Sequence, residues 1–130
     1  MDISRMRTWA EIDLDALCHN LDIVRAKLPA DTKVAAVIKA NAYGHGAVRV
    51  AKTLCDKVDY FAVAMPEEGY ELRKAGIACP ILVLGHAPEG QLDALVSHDF
   101  TATVCDLEEA KLLSDTALSL GQKATVHLAI

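Results

Sequence analysis

Lys39 stands out chemically because it directly follows an apolar run, "KVAAVI" (33–38), where a strand gives way to a loop. Strand alternation places it on the same side as Val37 and Ala35. An amine beside apolar neighbours is desolvated, which lowers its pKa and frees the nucleophilic form. A Schiff-base lysine requires this state. The alternative is a strand-end lysine that reaches solvent, and position alone favours that alternative.

The loop that follows, residues 40–46, consists of small residues that let a ligand approach the backbone. Tyr43 offers a phenol donor, and Asn41 and His45 offer further hydrogen bonds. The helix after Gly46 begins with unpaired N–H groups, which form a weak anion site. The composition is also typical of an ordinary turn between a strand and a helix.

Strands and helices alternate along the chain. Apolar runs predict strands at 33–38, 60–64, 81–85, 101–105 and 123–130. The first run is continuously apolar, which predicts burial on both faces. An earlier stretch, "WAEIDL" (9–14), alternates in hydrophobicity and predicts a short half-buried strand.

Helical patterns fill the intervals between the strands. The first places Leu14, Leu17, Leu21, Val24 and Leu28 on one face. Another helix is predicted across 47–57. Pro66 and Gly76 bracket the next helix, and one more opens near Pro88. The last helix begins with Asp106 and Glu109 in a capping arrangement and ends near Gly121.

A strand recurs about every 20–25 residues, which predicts an α/β fold with a parallel sheet. An open doubly wound sheet and a (β/α)₈ barrel both fit. No Gly-x-Gly-x-x-Gly follows the first strand, and Ile130 ends an apolar strand without a polar tail. A barrel has eight strands and about 250 residues. We therefore expect the first five strands of an incomplete TIM-type barrel, cut from a longer protein.

Composition excludes several function classes. The chain has 130 residues and a net charge of -5, whereas nucleic-acid binding needs a basic face. No apolar stretch approaches the ~20 residues of a membrane-spanning helix, and no secretory signal is present. The four scattered cysteines indicate free thiols in a reducing cytoplasm, and neither they nor the histidines show the spacing of a metal site.

Three segments resemble one known family. "VIKANAYGHG" (37–46) is similar to the cofactor-lysine motif of the alanine racemases, which are enzymes dependent on pyridoxal 5'-phosphate (PLP). "RTWAEIDLDALCHNL" (7–21) resembles the family's opening segment. "FAVAMPEEGYELRKAGIACPILVLG" (61–85) resembles the stretch through its second and third barrel strands. The resemblance covers nearly the whole chain in the expected order.

The resemblance implies a role for four residues. Lys39 matches the lysine that forms the internal aldimine with PLP and acts as one of two catalytic bases. Tyr43 matches a tyrosine on the phosphate side of the cofactor. Val37 and Leu84 match apolar residues near the cofactor ring. The implied activity of the parent protein is interconversion of L- and D-alanine, which supplies D-alanine for peptidoglycan.

The resemblance also implies that much of the apparatus lies beyond residue 130. The second base, the arginine at the ring nitrogen and most phosphate ligands belong to later parts of the family or to the partner in a homodimer. Residues 1–13 match a strand that joins a C-terminal β domain, and residues 14–130 match part of the PLP-binding barrel. We therefore expect the chain alone to be inactive or nearly so. Its open sheet edges favour self-association.

Three alternatives remain open. The parent could be an amino-acid racemase of broader specificity. The chain itself could be a non-catalytic segment that at most binds PLP. A generic phosphate-binding barrel domain would leave Lys39 a merely electrostatic role. His86 and His127 also lie at strand ends, and we interpret both as structural.

Overall fold

The computed structural model describes residues 7–129 as one parallel sheet with helices between successive strands. The sheet order is β1-β2-β3-β4-β5, which is the order of the strands along the chain, and each neighbouring pair is parallel. The strands are β1 (Ala35–Val37), β2 (Tyr60–Val63), β3 (Ile81–Val83), β4 (Phe100–Val104) and β5 (Thr125–Leu128).

Helical segments precede β1 and follow each of the first four strands. They are α1 (Leu14–Arg25), α2 (Lys39–Tyr43), α3 (Ala47–Leu54), α4 (Pro66–Lys74), α5 (Leu92–Ser97) and α6 (Leu107–Ser119), with a 3₁₀ turn at Glu89–Gln91. Along the described part of the chain, no helix combines the length and apolarity that crossing a bilayer requires.

The predicted helix boundaries that depend on local signals are confirmed. Pro66 occupies the first turn of α4, and Gly76, just after it, has a φ of +85°. The Asp106 carboxylate accepts a hydrogen bond from the Glu109 N–H at 2.9 Å, which caps α6. Gly121 follows α6 with a φ of +64°. Each of these residues affects only the backbone a few positions away. The local sequence is therefore sufficient to predict where these helices begin or end.

The hydrophobic core lies between the sheet and α3–α6. The strand residues that point into this core are in register with one another across the sheet. The four helices therefore all cover one face of the sheet. The strand residues of this core are Phe61, Val63, Ile81, Val83, Phe100, Ala102 and Val104. A doubly wound sheet would reverse its strand order and carry helices on both faces. The sequential strand order and the helices on one face are those of the wall of a (β/α) barrel. The prediction of an incomplete TIM-type barrel is therefore confirmed.

The predicted first strand is shorter and more exposed than expected. Only residues 35–37 are in β1, and Ala35 and Val37 are exposed. The prediction of burial on both faces is wrong for the described chain, because the helices cover only one face and no second layer covers the other. Val24 is likewise exposed, since α1 rests against the core through Leu14, Leu17 and Leu21.

The "WAEIDL" segment is not a strand in the described residues. Residues 8–12 are in neither a helix nor a strand, and Trp9 is exposed. Asp13 instead caps α1, since its carboxylate accepts a hydrogen bond from Ala16 N–H at 2.9 Å. The predicted assignment of residues 1–13 to a separate β domain stays a prediction, and residues 1–6 lie outside the described residues.

Arg73 of α4 anchors two loops at the amino-terminal side of the sheet. Its guanidinium donates to the carbonyls of Ile77 and Cys79 at 2.8 Å, and to those of His98 and Asp99 at 3.1 and 3.2 Å. It also lies 5.4 Å from the centre of the Phe100 ring. One side chain thereby satisfies four carbonyls that follow α4 and α5.

Candidate active site

Lys39 lies where the sequence predicts it, at the carboxyl end of the first strand. It follows the buried Ile38 and begins α2. The side chain is partly exposed, and none of the ion pairs formed among the described residues involves it. The residue thus lies at the edge of the sheet where (β/α) barrels place their sites.

The segment α2 is a single left-handed turn. Ala40, Asn41, Ala42 and Tyr43 have φ values of 51°, 56°, 53° and 52°. Left-handed backbone costs an L-residue roughly 1–2 kcal/mol, and glycine is the residue that normally adopts it. None of the four is glycine, so this is not the ordinary turn that the composition allows. Contacts around the turn must offset the strain.

Asn41 holds the carboxyl end of the turn. Its side-chain oxygen Oδ1 accepts a hydrogen bond from the Ala47 N–H at 2.8 Å, and its carbonyl accepts one from the Gly46 N–H at 2.9 Å. The first N–H group of α3 is therefore already paired, which weakens the predicted anion site. His45 Nδ1 lies 2.9 Å from the Ala42 carbonyl, which ties this side chain to the loop itself.

Glu68 holds the amino end of the turn from a different part of the chain. Its Oε1 accepts a hydrogen bond from the Ala40 N–H at 2.6 Å, directly after Lys39. Its Oε2 accepts from the Ala64 N–H at 2.7 Å and from the Met65 N–H at 3.4 Å. The link between Glu68 and Ala40 spans 28 residues, so it leaves no local signal in the sequence.

The remaining predicted residues gather at the same edge of the sheet. Tyr43 ends the turn that Lys39 begins and is 60% exposed. Val37 precedes Lys39 by two residues, and Leu84 follows β3, two strands away. Val37 is 43% exposed and Leu84 is 41% exposed. Register places them on the face of the sheet that the helices leave open.

The chemistry of these residues suits PLP. The aldehyde of PLP reacts with a primary amine, which Lys39 supplies. Its ring packs against apolar surface, which Val37 and Leu84 expose toward the open face. Its phosphate accepts hydrogen bonds, which the exposed Tyr43 hydroxyl can donate.

A separate cavity of about 190 Å³ lies further along the sheet, between α5 and α6. His86 and Glu109 line it and contact each other, which agrees with a structural role for His86. The hydrogen bond from the Cys105 N–H lowers the pKa of the Glu109 carboxyl. Lys39 and the other predicted site residues do not line this cavity.

The strand order, the one-sided helices and a lysine at the carboxyl edge define a (β/α)-barrel protein with a candidate site in the usual place. Residues 12–130 match the family model described as alanine racemase, N-terminal domain. The chain belongs to that family.

Individual relatives agree with the family. An alanine racemase of Clostridium perfringens is 47% identical over 131 residues, covering 100% of this chain and 34% of that protein. The structure of alanine racemase from Clostridium difficile 630 is 50% identical, with a TM-score of 0.92 over 96% of this chain and 33% of that one. A histidine racemase from Leuconostoc mesenteroides is 26% identical, with a TM-score of 0.78 over 87% of this chain and 30% of that one. The chain thus spans about a third of the length of these relatives.

Proposed function

We propose that the chain is the lysine-bearing part of an alanine racemase that interconverts L- and D-alanine with PLP as cofactor. The observation that carries the proposal is the partly exposed Lys39 at the carboxyl end of β1, in a chain whose curated relatives are named alanine racemase. In the whole protein the product D-alanine serves peptidoglycan synthesis in the cytoplasm.

Each residue of the site has a separate task. PLP, when bound, withdraws electrons and makes the α-proton of an amino acid removable. Lys39 Nζ would hold the cofactor covalently at rest, and after the substrate amine has displaced it, the freed amine would take or return the α-proton on one face of the substrate. Tyr43 donates its hydroxyl to the phosphate, while Val37 and Leu84 exclude water from the ring. Inversion needs a second base on the opposite face, which a partner subunit of a homodimer supplies.

The 130-residue chain alone is inactive or nearly so under this proposal, because each absent catalytic group costs orders of magnitude in rate. It still forms an adduct with PLP through Lys39. In the described residues β1 and β5 are the two edge strands, each paired on one side only, and self-association of the chain occurs through them. Residues 1–13 belong to a separate β domain in the whole protein, and residues 14–130 to the barrel. Neither nucleic acid nor a membrane is a partner.

Borohydride trapping tests the assignment of Lys39. The full-length protein is incubated with PLP, reduced and digested, and the labelled peptide is identified by mass spectrometry. Label at Lys39 and loss of alanine racemisation in Lys39→Ala are expected. Label at another residue, or full activity of Lys39→Ala, contradicts the proposal. Label elsewhere is also the result that a generic phosphate-binding domain would give.

A racemase of broader specificity is the second candidate, favoured by the structural similarity to the histidine racemase. Racemisation rates are compared for the L- and D-forms of alanine, serine and histidine with the full-length protein. A strong preference for alanine supports the first candidate. Comparable rates for several amino acids support the second.

A further inference from the structure

Among residues 7–129, the left-handed turn after Lys39 has one hydrogen-bond partner from another βα unit. The other hydrogen bonds that the structure shows for it run between residues 38 and 47. The exception is the bond from the Ala40 N–H to Glu68 Oε1, at 2.6 Å. Since Ala40 is bonded directly to Lys39, this contact acts on the peptide unit that orients the lysine.

Glu68 is itself fixed in place by its own helix. Its second oxygen accepts the Ala64 and Met65 N–H groups at the start of α4, and the residue is partly buried. The carboxylate therefore cannot turn away from Ala40 without breaking the cap of α4. A short hydrogen bond to a fixed carboxylate offsets strain more effectively than a bond to a mobile side chain.

A second glutamate caps the start of its own helix in the same way as Glu68. Glu109 occupies the equivalent position in α6, where its Oε2 accepts the Cys105 N–H at 2.6 Å and its Oε1 contacts His86 of the preceding βα loop. His86 follows β3, two strands from β1, and the hydrogen bonds that the Glu109 carboxylate makes within the described residues go to His86 and Cys105 and to none of the residues of the turn after Lys39. Glu109 is thus a matched control for the capping role without a link to the lysine.

We infer that Glu68 is a positioning residue for Lys39, which fixes the start of the left-handed turn and thereby holds the amine in register with PLP. The inference rests on the proposed function. Both carboxylate oxygens of Glu68 accept hydrogen bonds, whereas a glutamine has only one acceptor oxygen. Glu68→Gln can keep the two cap bonds only by turning its NH₂ group toward the Ala40 N–H. The opposite orientation would keep only the Ala40 bond, so the two cap bonds favour the first orientation, in which the turn is released and the helix is retained.

The experiment compares wild type, Glu68→Gln and Glu109→Gln in the full-length protein. The first readout is amide hydrogen exchange at Ala40 in the absence of PLP. The second is the rate at which added PLP is trapped on Lys39 by borohydride. Because a hydrogen bond to a charged group is lost, we expect Glu68→Gln to accelerate the exchange and to slow the trapping, each by about tenfold or more. Glu109→Gln is expected to stay within about twofold of wild type in both readouts, with a similar melting temperature.

The outcomes separate the two claims. If wild type is labelled at Lys39 and Glu68→Gln behaves as Glu109→Gln does, the positioning role is wrong while the proposed function stands. If wild type is not labelled at Lys39, the proposed function fails, and the positioning role fails with it. If Glu68→Gln does not fold, Glu68→Asp is measured in its place. It keeps the charge but is one methylene too short to bond Ala64 and Ala40 together, so the same changes are expected.

Discussion

Gly85→Ala is expected to separate the carboxyl ends of β2 and β3. A Cβ atom at Gly85 would lie 2.5 Å from the Ala64 carbonyl oxygen, and real Cβ atoms essentially never approach closer than 3.0 Å. The backbone must therefore open by at least about 0.5 Å, since the atom in the way belongs to the main chain and cannot rotate aside. The Gly85 N–H also donates to this oxygen at 3.1 Å, so the same movement stretches that bond.

The magnitude follows from two contributions. Overpacking of a close backbone contact costs about 1–3 kcal/mol, and the weakened hydrogen bond adds about 1 kcal/mol. We expect the free energy of unfolding, measured by urea titration, to fall by about 2–4 kcal/mol. Leu84 precedes Gly85 and moves with it, so binding of PLP to the full-length protein is expected to weaken as well.

Gly90→Ala is the matched control. A Cβ atom at Gly90 meets nothing within 4 Å, and the backbone there is not left-handed. Its free energy of unfolding is expected to stay within about 0.5 kcal/mol of wild type or to rise slightly, because alanine restricts the unfolded chain. Equal stabilities of Gly85→Ala and Gly90→Ala would refute the reasoning.

Three further predictions concern other parts of the fold. Desolvation by burial raises the pKa of the Cys79 thiol from the ordinary 9.0 to about 11. At pH 8 the thiolate fraction of Cys79 is therefore about a hundredfold lower than that of an ordinary cysteine. Iodoacetamide, followed by mass spectrometry, is expected to label the exposed Cys105 far faster. The hydrogen bond from the Val34 N–H lowers the pKa of the Asp59 carboxyl in the folded protein below its ordinary 3.8. The ionised Asp59 therefore stabilises the fold fully above pH 3.8, and this stabilisation is lost as the pH falls through the pKa of the folded protein. Asp59→Asn is expected to remove this part of the acid dependence in urea titrations. In Arg73→Lys the lysine cannot donate hydrogen bonds to all four carbonyls. We expect the free energy of unfolding, measured by urea titration, to fall by about 2–4 kcal/mol.

Each of these predictions has its own control. Equal labelling of both cysteines in the folded protein would contradict the first, and labelling in urea gives the rate without burial. An unchanged acid profile for Asp59→Asn would contradict the second, with the exposed Asp31→Asn as reference. For the third, Arg49→Lys on the exposed side of α3 provides the comparison, and equal stability of the two arginine variants would show that the carbonyl contacts contribute little.

The alternation of strands and helices could be predicted because its signals are local. Pro66, Gly76 and Asp106 mark helix ends through their own backbone preferences or side-chain bonds within three residues. The runs that form β2, β3 and β4 are apolar, as expected for strands that helices bury. Each of these strands lies within one or two residues of its predicted bounds. The position of Lys39 at the end of the first strand follows from the same pattern.

Burial of the first strand could not be predicted in this way. Its apolar sequence indicates that both faces can be covered, but whether they are covered depends on what packs there. In the described residues the helices cover one face, and Val37 remains exposed on the other. Strand order is a similar case, since doubly wound and barrel sheets share the same local pattern and differ only in which strands pair.

The sequence by itself determined the repeating βα units, their helix caps and a lysine at the carboxyl end of the first strand, because each depends on neighbours along the chain. Only the tertiary structure decided that Ala40 to Tyr43 form a left-handed turn and that Glu68 holds it from 28 residues away. The turn is unfavourable for the residues it contains, so no propensity predicts it. It exists because the hydrogen bond to Glu68 and those among residues 38–47 outweigh the local preference.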